Sequence, residues 1–225
     1  MKQRPPELIL ALDVDSPREA LMVARRLYPH VGMFKVGLQL FASGGPGVIR
    51  RIKDMGGRVF LDLKFFDIPN TVAAATRQAV RMGVDMLTVH ASGGSQMLEA
   101  AARSAREEAA LLKVKKPLVV GITVLTSQHS QSRRIFTLAR AALDAGLDGV
   151  VCSAREAGYL RKNIRRPFII VTPGIRPAGA SRDDQRRTAT VAQALKAGSN
   201  FLVVGRPILK APDPLLAVKE LTIWR

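Results

Sequence analysis

Short aliphatic runs recur along the whole chain, each followed by a longer stretch in which apolar residues return every three or four positions. The runs are ELILALDV (7–14), GMFKVGL (32–38), RVFLDLK (58–64), MLTVHA (86–91), LVVGITVL (118–125), GVVCS (149–153), FIIVTP (168–173) and NFLVVG (200–205). Runs apolar on both faces suit strands of a parallel sheet covered by helices. Between them, Ile135, Leu138, Ala139, Ala142 and Leu143 fall at helical spacing in 131–145, and Leu98, Ala101, Ala102, Ala105 and Leu112 do much the same in 95–112. Both stripes predict core-facing helix faces with arginines outward. Ser16-Pro17 reads as a cap followed by a proline at the first helical position, and Gly83, Gly146 and Gly198 sit where helices should end.

Eight such strand–helix units in 225 residues average about 28 residues each, close to the minimum for a βα repeat. They predict an α/β fold, a (β/α)8 TIM barrel at the compact end of that fold's size range. A doubly wound open sheet competes, because spacing alone does not show that the sheet closes. No linker or low-complexity segment divides the chain, so a single domain over 1–225 is expected. One connection stands apart. PGIRPAGASRDDQRR (173–187) follows a strand, holds two glycines, two prolines and four arginines, and is long for a βα loop. It is a candidate lid.

Composition narrows the classes. Apolar residues make up 47% of the chain and aromatics 5%, which argues against disorder. No apolar run approaches the roughly 18 residues that cross a bilayer, and the opening MKQRPPELILALDVDS, interrupted by Asp13 and Asp15, does not read as a signal peptide. The one cysteine, Cys152, forms no internal disulfide, which fits a reducing cytoplasm. Thirty-five Lys plus Arg against 18 Asp plus Glu give a formal charge of +17. That surplus invites a nucleic-acid partner. Against it, the cations are scattered through helices and loops, no zinc spacing or RNA-binding signature accompanies them, and Trp224 stands far from both tyrosines. Most of the arginines, Arg103, Arg106, Arg133, Arg134, Arg161 and Arg166 among them, read as a solvated outer surface.

Barrel enzymes carry their chemistry at the carboxyl ends of strands. Those ends here are Asp13, Lys35, Asp62, Lys64, His90, Thr126, the loop from Pro173, and Gly205-Arg206. A charge within an aliphatic strand is costly to bury unless it is paired. Asp13 or Lys35 alone reads as part of a structural ion pair. Asp62 and Lys64, two apart in a strand, share a face, and with Asp67 in the following turn they make a cluster whose proton affinities are coupled. Gly205 and Arg206 open a turn toward a helix, where backbone amides and a guanidinium favour an anion. His90 lacks the convergent partners of a metal site and reads as a supporting residue. His30 and His129 carry no signal.

DLKFFDIPNTV (62–72) resembles the signature of the orotidine 5′-phosphate decarboxylase family. ALDVDS (11–16), FKVG (34–37), TVHASGG (88–94), TVLTS (123–127), TPGIRPAG (172–179), DDQRR (183–187) and VVGRPI (203–208) resemble that family's motifs in the right order, from residue 8 to about 220. The resemblance implies a cofactor-free, metal-free, cytoplasmic homodimer that decarboxylates orotidine 5′-phosphate to uridine 5′-phosphate. It assigns the ribose hydroxyls to Asp13 and Lys35, the substrate carboxylate's neighbour to Asp62, and the proton donor to Lys64. Asp67, with Thr71 beside it, is expected to reach the neighbouring subunit's site. Thr126, with Ser127, is expected at the pyrimidine, Arg176 and Gln185 in the closing loop, and Gly205 with Arg206 at the phosphate. Two alternatives stay in view. Related barrels acting on sugar phosphates, such as hexulose-phosphate synthases and keto-gulonate phosphate decarboxylases, use a divalent metal at DxKxxD, and a catalytically silent basic barrel would retain RNA in a salt-dependent way.

Overall fold

The computed structural model describes residues 6–28, 30–124, 132–177 and 188–222. Among them eight parallel strands pair in sequence order: β1 (Glu7–Ala11), β2 (Met33–Gly37), β3 (Val59–Phe65), β4 (Met86–His90), β5 (Leu118–Ile122), β6 (Gly149–Val151), β7 (Ile169–Thr172) and β8 (Phe201–Val204). β8 returns to β1, with Ile9 opposite Val203, so the sheet closes into a barrel and the open doubly wound alternative is excluded. The intervening helices are α1 (Pro17–Leu27), α2 (Leu38–Asp54), α3 (Pro69–Arg81), α4 (Gly94–Leu112), α5 (Ser132–Asp144), α6 (Ala154–Asn163) and α7 (Val191–Lys196), and two short ones, α8 (Arg206–Leu209) and α9 (Pro214–Glu220), follow β8. None of these helices is long and apolar enough to cross a membrane.

Two apolar cores follow from the two faces of the strands. Outward residues such as Leu8, Leu10, Phe34, Val36, Leu61 and Leu87 pack against the helices. Inward residues fill the barrel's lower interior, with Ile9, Met33, Phe60, Met86, Val120 and Val171 at its centre. Strand side chains alternate, so the next inward position above Met33 is Lys35, above Phe60 is Asp62, and above Met86 is Thr88. The polar site therefore stands directly on an apolar plug.

Local signals explain the element ends. Ser16 Oγ accepts from Glu19 N at 3.2 Å and caps α1 with Pro17 at its start. Gly83, Gly146 and Gly198 all have positive φ, as C-terminal stops require. α2 is broken at Gly45, whose φ of 53° precedes Pro46.

The floor of the barrel carries a recurring device. Asp85 Oδ2 accepts from Val59 N and Lys53 Nζ, both at 2.8 Å; Asp148 Oδ2 accepts from Val119 N at 2.8 Å and Lys116 Nζ at 2.6 Å; and Asn200 Oδ1 accepts from Ile170 N at 2.8 Å and Arg161 Nη2 at 2.6 Å. Each side chain preceding an even strand thus satisfies a backbone N–H at the start of the odd strand before it, and a cation braces it. The corresponding position before β2 is Gly32, where a Cβ would collide with Glu7, itself paired with Arg58.

Two expectations are corrected here. Leu112 is 42% exposed, because it ends α4 beyond the last buried turn and the chain reverses at Lys113, φ 55°. Arg161 is no solvated arginine. Its guanidinium donates to Gly198 O, Phe168 O and Asn200 Oδ1 and stacks 4.4 Å above the Phe168 ring, tying α6 to the starts of β7 and β8. Burial lowers its pKa. Arg103, Arg106, Arg133, Arg134 and Arg166 are exposed as expected.

Candidate active site

A cavity of about 550 Å³ opens at the carboxyl ends of the strands. Asp13, Lys35, Asp62, Lys64, Arg176, Arg206 and Lys210 supply its charges. Phe60, Ile122, Val151 and Val203 make an apolar floor and wall.

The charged groups form a continuous line. Lys35 Nζ lies 3.0 Å from Asp13 Oδ1 and 3.6 Å from Asp62 Oδ2, and Lys64 Nζ lies 3.0 Å from the same Asp62 oxygen. Lys35 and Asp62 are largely sheltered, at 11% and 14% side-chain exposure, while Asp13 at 54% faces the open mouth. Carboxylates and ammonium groups thus alternate across the pocket, and each sheltered charge has an opposite neighbour.

Asp62 and Lys64 meet, but simple strand alternation is not what brings them together. Leu61 pairs with Leu87 and Phe65 with Val89, so β3 advances four residues where β4 advances two. Within this bulge Lys64 adopts φ 56°, a conformation that a side chain bearing a Cβ rarely takes. Thr88, 1% exposed, spans the irregularity: its Oγ1 accepts from Lys64 N at 2.9 Å and donates to Asp62 Oδ1 at 3.0 Å.

His90, next inward on β4, has its pKa lowered, chiefly by burial and then by the charge of Lys64, with Asp62 acting in the opposite direction. Its ring lies 5.5 Å from that of Phe66. Among the described residues no three His, Cys, Asp or Glu side chains are grouped as a metal ligand set.

At the opposite side, Gly205 precedes the single turn α8, and Arg206 and Lys210, one helical turn apart, both line the cavity. The expected row of bare amides is shorter than the sequence suggested, because Pro207 has no N–H and Ile208 N donates to Gly205 O at 2.9 Å. An added Cβ at Gly205 would stand 3.4 Å from Ala11 Cβ and 3.6 Å from Asp13 Oδ2. The described ends of the candidate lid are zipped together: Arg176 N donates to Ala189 O at 2.9 Å and Ala189 N to Gly174 O at 3.1 Å. Arg176 is 9% exposed.

The sequence-derived set is therefore divided. Asp13, Lys35, Asp62, Lys64, Arg176, Gly205 and Arg206 converge on one cavity. Asp67 and Thr71 do not line it; both are exposed, and Asp67 Oδ1 accepts from Ile68 N at 2.7 Å. Asp62 and Lys64 cluster as the sequence suggests, with Lys35 and Asp13 as the further lysine and carboxylate, while Asp67, in the turn after the bulge, lies at the surface. Thr126, Ser127, His129, Gln185 and the 178–187 part of the loop lie outside the described residues. Thr88, Lys210 and Gln39, the last donating to Asp15 Oδ1 at 2.8 Å, were not singled out by sequence. Thr88 was legible as the polar residue two before His90 in an otherwise apolar strand, and Lys210 as the cation one turn after Arg206.

Residues 6–221 match the model of the orotidine 5′-phosphate decarboxylase / HUMPS family. A Moorella thermoacetica protein named orotidine 5′-phosphate decarboxylase is 49% identical over 227 residues, covering 96% of this chain and 90% of that one. A Syntrophotalea carbinolica protein of the same name is 49% identical over 226 residues, covering 96% and 93%. The crystal structure of orotidine 5′-phosphate decarboxylase from Lactobacillus acidophilus superposes with a TM-score of 0.85 at 35% identity, over 97% of this chain and 98% of that one. With barrel, motifs and relatives in agreement from one end to the other, the chain belongs to the orotidine 5′-phosphate decarboxylase / HUMPS family.

Proposed function

We propose that the chain decarboxylates orotidine 5′-phosphate to uridine 5′-phosphate, the last step of de novo UMP biosynthesis, without a cofactor and with Lys64 as proton donor to C6. The observation that carries this reading is the Lys64–Asp62 contact of 3.0 Å at the edge of a cavity charged at both sides. The family membership and the names of its relatives support the decarboxylase over other barrel chemistries.

In this reading the substrate phosphate lies at Gly205 and Arg206, with Arg176 over it, and the ribose hydroxyls meet Asp13 and Lys35. The substrate carboxylate then faces Asp62, and the pyrimidine C6 faces Lys64 Nζ. The C6–carboxylate bond breaks, its electron pair stays on C6, and carbon dioxide leaves. The Lys64 ammonium gives its proton to C6 and is reprotonated from solvent. No electron sink stabilises the developing charge, so the stabilisation falls to a preorganised ammonium held by Asp62 and Lys35's network. Repulsion between Asp62 and the substrate carboxylate raises the ground state. Phosphate binding, remote from C6, contributes by closing the 173–187 loop, with Gln185 at the ligand, and excluding water. Thr126 and Ser127 contact the pyrimidine. In the proposed homodimer Asp67, exposed between Phe66 and Ile68 at 61% and 66% exposure, enters the neighbouring site with Thr71 beside it.

The test is an ultraviolet assay with orotidine 5′-phosphate, run with and without chelator. Turnover unaffected by chelation is expected. Turnover of a sugar phosphate that chelation abolishes, with none of the nucleotide, would assign the chain to the metal-using relatives instead.

A further inference from the structure

We infer that Thr88 is a positioning residue for the decarboxylation, holding Asp62 and Lys64 in their mutual geometry through a single buried hydroxyl. The inference rests on the reading above.

Three observations converge on it. The β3 bulge displaces the segment between Leu61 and Phe65 from its ladder with β4, and Lys64 within it has a left-handed backbone. Such a conformation persists where surrounding contacts determine it. Within the bulge the Lys64 N–H is taken by a side chain of β4, Thr88 Oγ1, at 2.9 Å. The same oxygen donates its proton to Asp62 Oδ1 at 3.0 Å, leaving Asp62 Oδ2 to Lys64 Nζ and Lys35 Nζ.

One hydroxyl therefore fixes both members of the pair, from opposite ends. It anchors the backbone from which the Lys64 side chain departs, and it orients the carboxylate that the Lys64 ammonium meets. A hydroxyl can accept from an amide and donate to a carboxylate at once. Valine, of nearly the same shape, can do neither; serine can do both. Thr88 does not line the cavity and is 1% exposed, so it acts on the reacting groups and not on the substrate.

The position is consistent with the barrel's layering. Thr88 stands directly above Met86 of the apolar plug and opposite the bulge, where the strand pattern would place another aliphatic residue. A valine would fill the space equally well, and the hydroxyl is the part that packing does not explain.

The experiment compares Thr88→Val and Thr88→Ser with the unaltered chain, measuring kcat and KM for orotidine 5′-phosphate, affinity for uridine 5′-phosphate, and thermal melting. A misplacement of the reacting groups by about 1 Å lowers the rate on the order of 10²-fold. Thr88→Val is thus expected to lose about that factor in kcat, with KM and uridine 5′-phosphate affinity within about 3-fold, while Thr88→Ser recovers most of the rate. The product lacks the carboxylate and reports on the phosphate, ribose and pyrimidine contacts without the reacting group. Should Thr88→Val not fold, Thr88→Ala carries the same comparison. A Val variant with near-normal kcat, a Ser variant as slow as Val, or a loss of product affinity parallel to the loss of kcat overturns the inference. An unaltered chain with no turnover of the nucleotide overturns the underlying reading instead, so the two failures are distinct.

Discussion

Lys64 Nζ lies 3.0 Å from Asp62 Oδ2 although the two residues are joined by a bulged strand in which Lys64 itself turns left-handed, φ 56°. The contact is built, not incidental to a regular strand. Its carboxylate is shared with Lys35 and its backbone end is held by Thr88. Groups held this way need little reorganisation when charge develops beside them, which is the condition under which electrostatic stabilisation is strongest.

On the proposed mechanism, replacing Lys64 by Ala removes both the stabilising charge and the proton donor and is expected to reduce decarboxylation at least about 10³-fold. Binding of uridine 5′-phosphate should persist, because Gly205 and Arg206 are untouched at the other side of the cavity. Steady-state ultraviolet kinetics and calorimetric titration with the product measure the two separately. An active Lys64→Ala variant removes the proton-donor assignment.

At the end of the cavity proposed for the phosphate, Arg206→Ala should lower kcat/KM by roughly 10- to 100-fold, the range of a lost charge-assisted contact. Much of the loss is expected in KM and product affinity. A part should also appear in kcat, because binding energy remote from C6 drives closure. The corresponding measurement is the full kinetic profile together with product affinity. A change confined to kcat would place the phosphate elsewhere.

Arg161 makes a stability prediction independent of the chemistry. Truncation to Ala removes the guanidinium donor from the Gly198 and Phe168 carbonyls and one of the two donors to Asn200 Oδ1, which keeps Ile170 N, and the expected cost is about 2–3 kcal/mol. Arg161→Lys should recover only part, since one ammonium cannot reproduce a planar fork that bonds several acceptors and stacks on a ring. Denaturant unfolding gives the ranking, and equal stability of the three proteins contradicts it.

The eight strands were legible because each run is apolar on both faces, and the charges that break the runs, Lys35 and Asp62, mark the ends of inward rows that begin at Met33 and Phe60. The gathering of Asp13, Lys35, Asp62, Lys64, Arg176, Gly205 and Arg206 follows from that topology. Other features depend on relations that a one-dimensional pattern does not contain. A left-handed lysine leaves no mark in hydrophobic periodicity, so the bulge and the bond to Thr88 are visible only in the register of β3 against β4. Arg161 occupies a last-turn position that normally faces water, and its partners come from residues 168, 198 and 200. Asp67 belongs to the same motif as Asp62 but leaves the site where the strand ends. The assignments to Thr126 and Gln185 lie beyond the described residues.

Gly149 opens β6 where that strand passes unusually close to β7. An added Cβ would stand 2.1 Å from Ile169 O and 2.7 Å from Ile169 C, both backbone atoms that cannot swing aside. Gly149→Ala must separate the two strands or distort their pairing, at an expected cost of about 2 kcal/mol or more. Thermal and denaturant unfolding of the variant check this, and undiminished stability would contradict the close approach.

His90 couples the site to pH. Its pKa is lowered below the usual 6.5 by burial first and by the Lys64 charge second, against a smaller opposing pull from Asp62. In the unfolded chain the imidazole takes up its proton near its ordinary pKa, while in the folded barrel it does so only at lower pH. Between those two points the unfolded state binds more protons, so stability rises with pH. The contribution is complete above pH 6.5 and declines as pH falls below it. A chain carrying His90→Asn lacks this linkage, so the melting-temperature difference between the unaltered protein and the variant should shift against the unaltered protein as pH drops from 7.5 to 5, whatever other groups titrate in both. In Lys64→Ala the cation that disfavours imidazolium is gone, and the His90 proton resonance should titrate at higher pH than in the unaltered protein. A melting difference independent of pH, or a titration unmoved by the loss of Lys64, would separate His90 from the charged line.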